Sequence, residues 1–216
     1  MANLWLVTEI RIRSISDPIA GSPDVARCAL YSVFRADVMD LLPRDVDERG
    51  EVDLDAAFLG DLTERVIEAG LGSALLKLHA GASAEETADL VRSIWQALDD
   101  SPYPQGEWGG VRERLDDEQL ADLLGISTSS VRRYASGERQ TPDEIAWRLH
   151  TLSRIIAALT GSYNDYGIRR WFVRPRPQLG GGTPTEVFAR AGGEDDPELM
   201  SLVRLAEALV GPAIAA

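Results

Sequence analysis

The sequence predicts a mostly α-helical protein. Apolar residues recur every three or four positions along five separate stretches, which is the period of an amphipathic helix. Three stretches begin with a capping-box pattern, in which a Ser or Thr precedes a Glu by three residues, at Ser83, Thr141 and Thr183. The chain has 216 residues, 44% hydrophobic and 26% charged, which is an ordinary globular composition and long enough for one large domain or two small ones.

Charge is distributed unevenly along the chain. The net charge is −13, which argues against a protein that binds nucleic acid over its whole surface. Residues 1–107 carry 20 acidic and 9 basic side chains, whereas residues 128–176 carry 9 arginines and 4 acidic side chains. The basic charge is therefore concentrated in the second half of the chain.

Cysteine content and hydropathy bear on location. Cys28 is the single cysteine, so no intramolecular disulfide can form, and we expect a core role for it in a reducing cytoplasm. No apolar run approaches 18 residues, and the first residues have the wrong order for a secretory signal, so no membrane association is expected.

The N-terminal part, residues 1–100, is predicted to be an acidic and mostly helical domain. Residues 3–15 have a weak strand pattern with no evident partner strand, and residues 43–53 have the composition of a charged loop. The predicted helices cover residues 24–42, a stretch starting near Leu54, a short segment at 73–80, and residues 83–98. No catalytic group stands out, and His79 is isolated, so the role of this domain stays open. Residues 101–110, rich in proline and glycine, are predicted to be a linker.

A helix-turn-helix pattern occupies residues 116–137, within a predicted region of 111–161. Ala121 is small enough for two helices to cross, and Gly125 follows where the turn requires positive φ. Ile126 is expected to fill the core, and Val131 and Tyr134 have the spacing of buried positions on the second helix. An ordinary helical hairpin that binds nothing is the alternative interpretation.

The outer face of the second helix is polar and basic, as in a recognition helix that enters a DNA major groove. The predicted DNA-binding residues are Ser127, Thr128, Ser129, Arg132, Arg133, Ser136 and Arg139. Ser127 is also expected to cap this helix.

A long helix then runs from Thr141 to about Thr160, and residues 162–216 form the predicted C-terminal domain. Within it, residues 165–190 read DYGIRRWFVRPRPQLGGGTPTEVFAR, a short helix followed by extended prolines, three glycines and a Thr-Pro helix start. The glycines lack the lysine and the strand context of a phosphate-binding loop, so a tight turn is favoured. A closing helix is predicted over residues 197–210.

These motifs, in this order, resemble the Xre/MbcA/ParS-like antitoxins of RES–Xre toxin–antitoxin systems. The resemblance covers residues 110–210 and rests on LDDEQLADLLGISTSSVRRYASGER, the long helix, and RRWFVRPRPQLGGGTPTEVFA. It leaves the N-terminal domain unexplained. It implies a bacterial antitoxin that masks the active site of an NAD-degrading RES-domain toxin and represses its own operon.

The resemblance implies a set of toxin-binding residues around the proline–glycine segment. They are Arg170, Trp171, Arg174, Arg176, Leu179, Gly180, Gly181, Thr183 and Pro184. Core packing is an equal alternative for Trp171 and Leu179. The expected partners are the toxin and operator DNA, in a homodimer or a hetero-oligomer with the toxin.

The sequence leaves two other function classes to consider. The first alternative is a transcription regulator that has no toxin partner and uses its C-terminal module to dimerise. An enzyme has little support, because no catalytic set, metal site or cofactor motif is present in the sequence and its two histidines are far apart.

Overall fold

The computed structural model describes residues 10–43, 50–73, 75 and 82–210. Within these ranges the chain is mostly α-helical with one two-stranded sheet, which confirms the predicted fold class. None of the described helices is both long enough and apolar enough to cross a lipid bilayer. The chain divides into two compact units between Ser101 and Pro102, and residues 38–40 belong to the second unit.

The first unit is built from two strands and three helices. They are β1 (Arg11–Ile15), α1 (Pro23–Val38, all but its last residue), β2 (Glu51–Leu54), α2 (Ala56–Glu68) and α3 (Ala84–Asp100). β1 and β2 are parallel, with Ile12 opposite Val52 and Ile15 opposite Leu54. Parallel neighbours need a crossover connection, and α1 lies within it.

β2 corrects the prediction of a charged loop at 43–53 followed by helix from Leu54. Val52 and Leu54 are buried while Glu51 and Asp53 are partly exposed, which is the alternation of a strand with one buried face. Arg13 and Ser14 of β1 both donate hydrogen bonds to the Asp53 carboxylate. The strand predicted near the N-terminus therefore has a partner. Residues 3–9 of that prediction lie outside the described residues, as do 44–49 and most of 73–80 with His79.

The helices of the first unit bury the apolar stripes that predicted them. The Ser83 capping box is confirmed, because the Ser83 hydroxyl accepts a hydrogen bond from Glu86 N and the Glu86 carboxylate accepts one from Ser83 N. Arg35 is fully buried and its Nε lies 3.2 Å from Asp99 Oδ1, an ion pair that the sequence did not reveal. Cys28 is half-buried rather than in the core, and this burial raises the pKa of its thiol.

The second unit is helical and is organised around one long central helix. Its helices are α4 (Pro104–Arg114), α5 (Asp117–Leu124), α6 (Thr128–Ala135), α7 (Asp143–Thr160), α8 (Asp165–Val173), α9 (Pro184–Arg190) and α10 (Pro197–Glu207). α7 is buried along most of its length, and α4, α8 and α10 pack against it. The regions predicted as separate domains, 111–161 and 162–216, thus contribute described residues to one compact unit.

α4 shows that the predicted linker at 101–110 is wrong from Pro104 onward. Two of its three glycines, Gly106 and Gly110, permit close packing. A Cβ on Gly106 would lie 1.9 Å from Met39 O, and one on Gly110 would lie 2.2 Å from Val38 O. Pro104 occupies the first helical position, where its missing N–H costs nothing.

The start of α7 differs from the predicted capping box. Pro142 is the N-cap residue and no side chain caps the helix. The Thr141 hydroxyl instead accepts a hydrogen bond of 2.9 Å from Trp108 Nε1 of α4. The other predicted box, at the start of α9, is confirmed, because Thr183 and Glu186 cap each other's backbone groups.

A buried polar cluster links α4 to α7. Glu107 is fully buried, and its Oε1 lies 2.7 Å from His150 Nδ1 and accepts a 2.8 Å hydrogen bond from Ser153 Oγ. The position of His150 next to Leu149 on the helix does not by itself indicate this polar role. Glu107 needs such partners because a buried carboxylate without them is costly.

Candidate functional site

The helix-turn-helix forms as its residues predict. Asp116 caps α5 by accepting from Gln119 N, and Gly125 ends α5 in the left-handed region with φ 68°. Ile126 N donates to Ala121 O at 3.0 Å, which closes the turn, although Ile126 is only half-buried. Ser127 then caps α6 by accepting from Ser130 N. The local chemistry of the turn therefore determines the angle at which α6 leaves α5.

α6 has one buried side and one exposed side. Val131 is fully buried and Tyr134 nearly so, as predicted. Of the predicted DNA-binding residues, Thr128 is half-buried, and the other six are exposed: Ser127, Ser129, Arg132, Arg133, Ser136 and Arg139. The hydroxyls of Ser127 and Ser129 lie 2.9 Å apart at the first turn. A hydroxyl-rich N-terminal end followed by arginines is the arrangement that suits contacts to bases and phosphates.

Arg132 does not extend freely into solvent. Its Nε donates to Asp117 Oδ2 of α5 at 2.8 Å, while Asp117 Oδ1 accepts from Arg112 Nε of α4 at 3.1 Å. We call this group the Asp117 clasp. The Arg132 hydrogen bond is the main reason that the pKa of Asp117 lies below its usual value. The Arg132 side chain remains 65% exposed, so its terminal amino groups stay accessible.

Two aromatic residues support the end of α6. Trp108 of α4 stacks on Tyr134 with ring centroids 6.2 Å apart, and the Arg139 guanidinium lies 5.5 Å from the centre of the Tyr134 ring. Arg139 N also donates to Arg133 O at 3.1 Å. Arg139 is thus held near the C-terminal end of α6 although it lies outside the helix.

The proline–glycine segment, residues 174–182, forms a closed turn that we call the RPRPQLGGG turn. Gly180 and Gly181 have φ of 64° and 88°, which favour glycine. Arg176 N donates to Gly182 O, and Arg176 O accepts from Gly181 N. The N–H groups of all three glycines donate to carbonyl oxygens within the turn. They are engaged internally, which agrees with the predicted tight turn and not with a phosphate cradle.

The predicted toxin-binding residues fall into three groups by exposure. Arg170, Arg174, Gly180 and Gly181 are exposed; Arg176, Leu179 and Thr183 are half-buried; Trp171 and Pro184 are buried. Trp171 is 1% exposed, so the core-packing alternative holds for it and direct contact with a partner does not. The Arg176 guanidinium lies 4.5 Å from the centre of the Trp171 ring, and desolvation lowers the Arg176 pKa. Trp171 therefore acts as the support on which Arg176 rests.

Arg148 of α7 connects the helix-turn-helix to α9, the helix that follows the RPRPQLGGG turn. Its Nη2 donates to Phe188 O at 2.5 Å and to Leu123 O at 3.4 Å, and its Nη1 donates to Ala191 O at 3.2 Å. These carbonyls lie at the C-terminal ends of α5 and α9. One guanidinium thus hydrogen-bonds carbonyls at the ends of two helices, where the regular intrahelical bonds run out.

Sequence reasoning missed the Asp117 clasp and the role of Arg148. Asp117 looks like an ordinary acidic residue in a first helical turn, which is favourable for the helix dipole in any case. A signal for the clasp was nevertheless present, since acidic and basic side chains recur around the turn at positions 112, 117 and 132. Arg148 sits among apolar residues on the buried face of α7, where a charged side chain calls for a partner.

No protein-family model, curated protein or solved structure matches this chain.

Proposed function

We propose that this chain is an antitoxin that neutralises a cognate RES-domain toxin and represses its own operon through the helix-turn-helix. The order of motifs from residue 110 to residue 210 supports the family, as set out from the sequence. The observation that carries the DNA-binding part is α6 itself, a capped helix whose outer face exposes Arg132 and Arg133.

The RPRPQLGGG turn supports the toxin-binding part. Its internal hydrogen bonds fix its shape before any partner arrives, so little conformational entropy is lost on binding. Arg174 is exposed at its start, and Arg176 is held on Trp171. Guanidinium groups presented in this way suit carboxylates that line the nucleotide cleft of a toxin.

The toxin-binding part is tested by co-expression with the product of the adjacent gene. We expect a complex of fixed stoichiometry in which NAD consumption by the toxin is abolished. Arg174→Glu should weaken the complex, whereas Arg204→Glu, the same charge change at an exposed position of α10, should not. Continued NAD consumption with the chain in excess would contradict the proposal.

The DNA-binding part is tested with the duplex upstream of the gene. Arg132→Ala combined with Arg133→Ala should abolish specific binding, lower the salt dependence and leave toxin neutralisation intact. Arg190→Ala combined with Arg204→Ala removes the same charge from α9 and α10 and serves as the control. Loss of neutralisation in the α6 variant would mean that α6 faces the toxin instead.

A transcription regulator without a toxin is the second candidate, and the exposed face of α6 favours it equally. The two candidates separate in the same experiments. A chain that binds its upstream DNA but forms no complex with the adjacent gene product, and uses its second unit to dimerise, is the regulator.

A further inference from the structure

Large apolar side chains are exposed at one place in the described part of the chain. Tyr163 is 37% exposed, Tyr166 64% and Val173 51%, and all three fall within residues 163–173. Single exposed apolar residues are normal on a protein surface, whereas a cluster of them marks an interaction site.

α8 carries two separate apolar faces. Ile168, Trp171 and Phe172 are buried and attach the helix to the rest of the second unit. Tyr166, Arg170 and Val173 follow the spacing of four and three residues that puts side chains on one helix face, and all three are exposed. The exposed apolar residues therefore lie on a different face of α8 from the residues that pack into the core.

Tyr163 joins this face from the residue before the α8 N-cap. Gly167 makes room for it, because a Cβ at position 167 would lie 3.0 Å from both Cβ and Cδ1 of Tyr163. The ring consequently lies against the first turn of α8. We call the exposed set Tyr163, Tyr166, Arg170, Val173 and Arg174 the α8 face.

The α8 face is positively charged. Arg170 and Arg174 are exposed, and neither forms an ion pair or side-chain hydrogen bond with any residue in the described ranges. Charged groups that lack an internal partner at the rim of an apolar patch determine which partner surface can dock. A complementary surface must bring carboxylates to the two arginines and apolar groups to the tyrosines and valine.

We infer that the α8 face is a docking surface for an acidic protein partner, and, resting on the proposed function, that this partner is the toxin. Tyrosine and arginine are the residue types that dominate binding hot spots. Arg174 is also the first residue of the RPRPQLGGG turn, so the α8 face and the turn share one exposed arginine. Val173 on the same face favours a protein partner over a nucleic acid. Nucleic-acid bases bind by stacking on aromatic side chains, and an aliphatic side chain offers them no such surface.

The test compares variants of the whole chain for binding to the product of the adjacent gene. Tyr166→Ala with Val173→Ala removes exposed side chains, so the melting temperature and binding to the upstream duplex should stay unchanged. Toxin binding should weaken roughly tenfold or more. Arg170→Glu should weaken it as well, while Arg204→Glu on α10 should have no effect.

The outcomes separate the two proposals. Toxin binding that is unchanged in both α8 variants overturns this inference and leaves the proposed function standing. Absence of toxin binding by the unaltered chain overturns the proposed function and the toxin as occupant together. If the unaltered chain binds a 20-nucleotide single strand and the double variant does not, the α8 face belongs to nucleic acid and the inference is wrong.

Discussion

Asp117 holds Arg132 in a defined direction, with 2.8 Å between the carboxylate Oδ2 and the guanidinium Nε. The bond uses Nε, so the two terminal amino groups of the exposed Arg132 side chain are left out of this contact. Arg112 occupies the other carboxylate oxygen, so α4, α5 and α6 meet at one side chain. The clasp limits the orientations that Arg132 can sample, and preorganised groups bind more selectively than mobile ones.

We predict that Asp117→Asn lowers the ratio of specific to non-specific DNA affinity by roughly fivefold. The loss of a negative charge beside Arg132 should strengthen non-specific binding, because phosphate contacts are electrostatic. Freed from the clasp, Arg132 should select bases less well. Asp122→Asn is the matched control, because it removes the same charge from an exposed position on the same helix. Fluorescence anisotropy with the upstream duplex and a scrambled duplex measures both affinities, and an equal ratio in the two variants would rule out an orienting role.

A second prediction concerns the glycines of α4. Gly110→Ala should destabilise the protein by about 2 kcal/mol or more, since the new Cβ meets the backbone oxygen of Val38. Gly109→Ala in the same helix has open space around it and should stabilise by about 0.5–1 kcal/mol through helix propensity. Urea denaturation of both variants measures the difference. Equal effects would show that close packing at Gly110 does not matter.

A third prediction concerns the buried cluster at Glu107. His150→Leu should destabilise the protein by about 3 kcal/mol, because Glu107 loses a 2.7 Å bond inside the core. Arg190→Ala breaks the exposed pair between Arg190 and Glu198 and should destabilise the protein far less, because solvent screens exposed ion pairs. The comparison uses denaturant midpoints at constant pH. A His150 variant as stable as the Arg190 variant would contradict the assigned role.

A fourth prediction concerns pH and the strand pair of the first unit. The hydrogen bonds from Arg13 and Ser14 lower the pKa of Asp53 from 3.8 to about 2. A depressed folded-state pKa favours the folded protein above the unfolded value, so this contribution is present above pH 3.8 and is lost as pH falls towards 2. NMR titration of the Asp53 carboxyl carbon checks the value. Arg13→Ala should return it towards 3.8, and a pKa near 3.8 in the unaltered chain would contradict the prediction.

The helix-turn-helix could be predicted from the sequence because its determinants are local. Gly125 adopts positive φ and Ser127 caps the next helix through contacts a few residues away. The same reasoning explains the capping boxes at Ser83 and Thr183. Where a third box was predicted, at Thr141, a long-range contact with Trp108 takes the hydroxyl instead.

The predictions that were wrong concern features that depend on contacts between residues far apart in the sequence. The sequence predicts a linker where α4 lies, because proline and glycine are common in linkers. The need for glycine in this helix is evident only from the close approach of the Val38 and Met39 backbone. β2 lies within a run of acidic residues, and its partner strand β1 lies about 40 positions earlier in the chain, so the local sequence does not identify it as a strand. For the candidate site, composition identified the exposed arginines, but it could not decide that Trp171 faces the core while Tyr166 faces solvent.

Arg148 has a consequence for how the second unit opens. The last turns of α5 and α9 would ordinarily fray independently, since helix ends are the least stable parts of a helix. Here both ends are bonded to one side chain on the buried helix α7. Amide hydrogen exchange at the ends of α5 and α9 should therefore occur in a common opening event, and it should become independent and faster at each end when Arg148 is replaced.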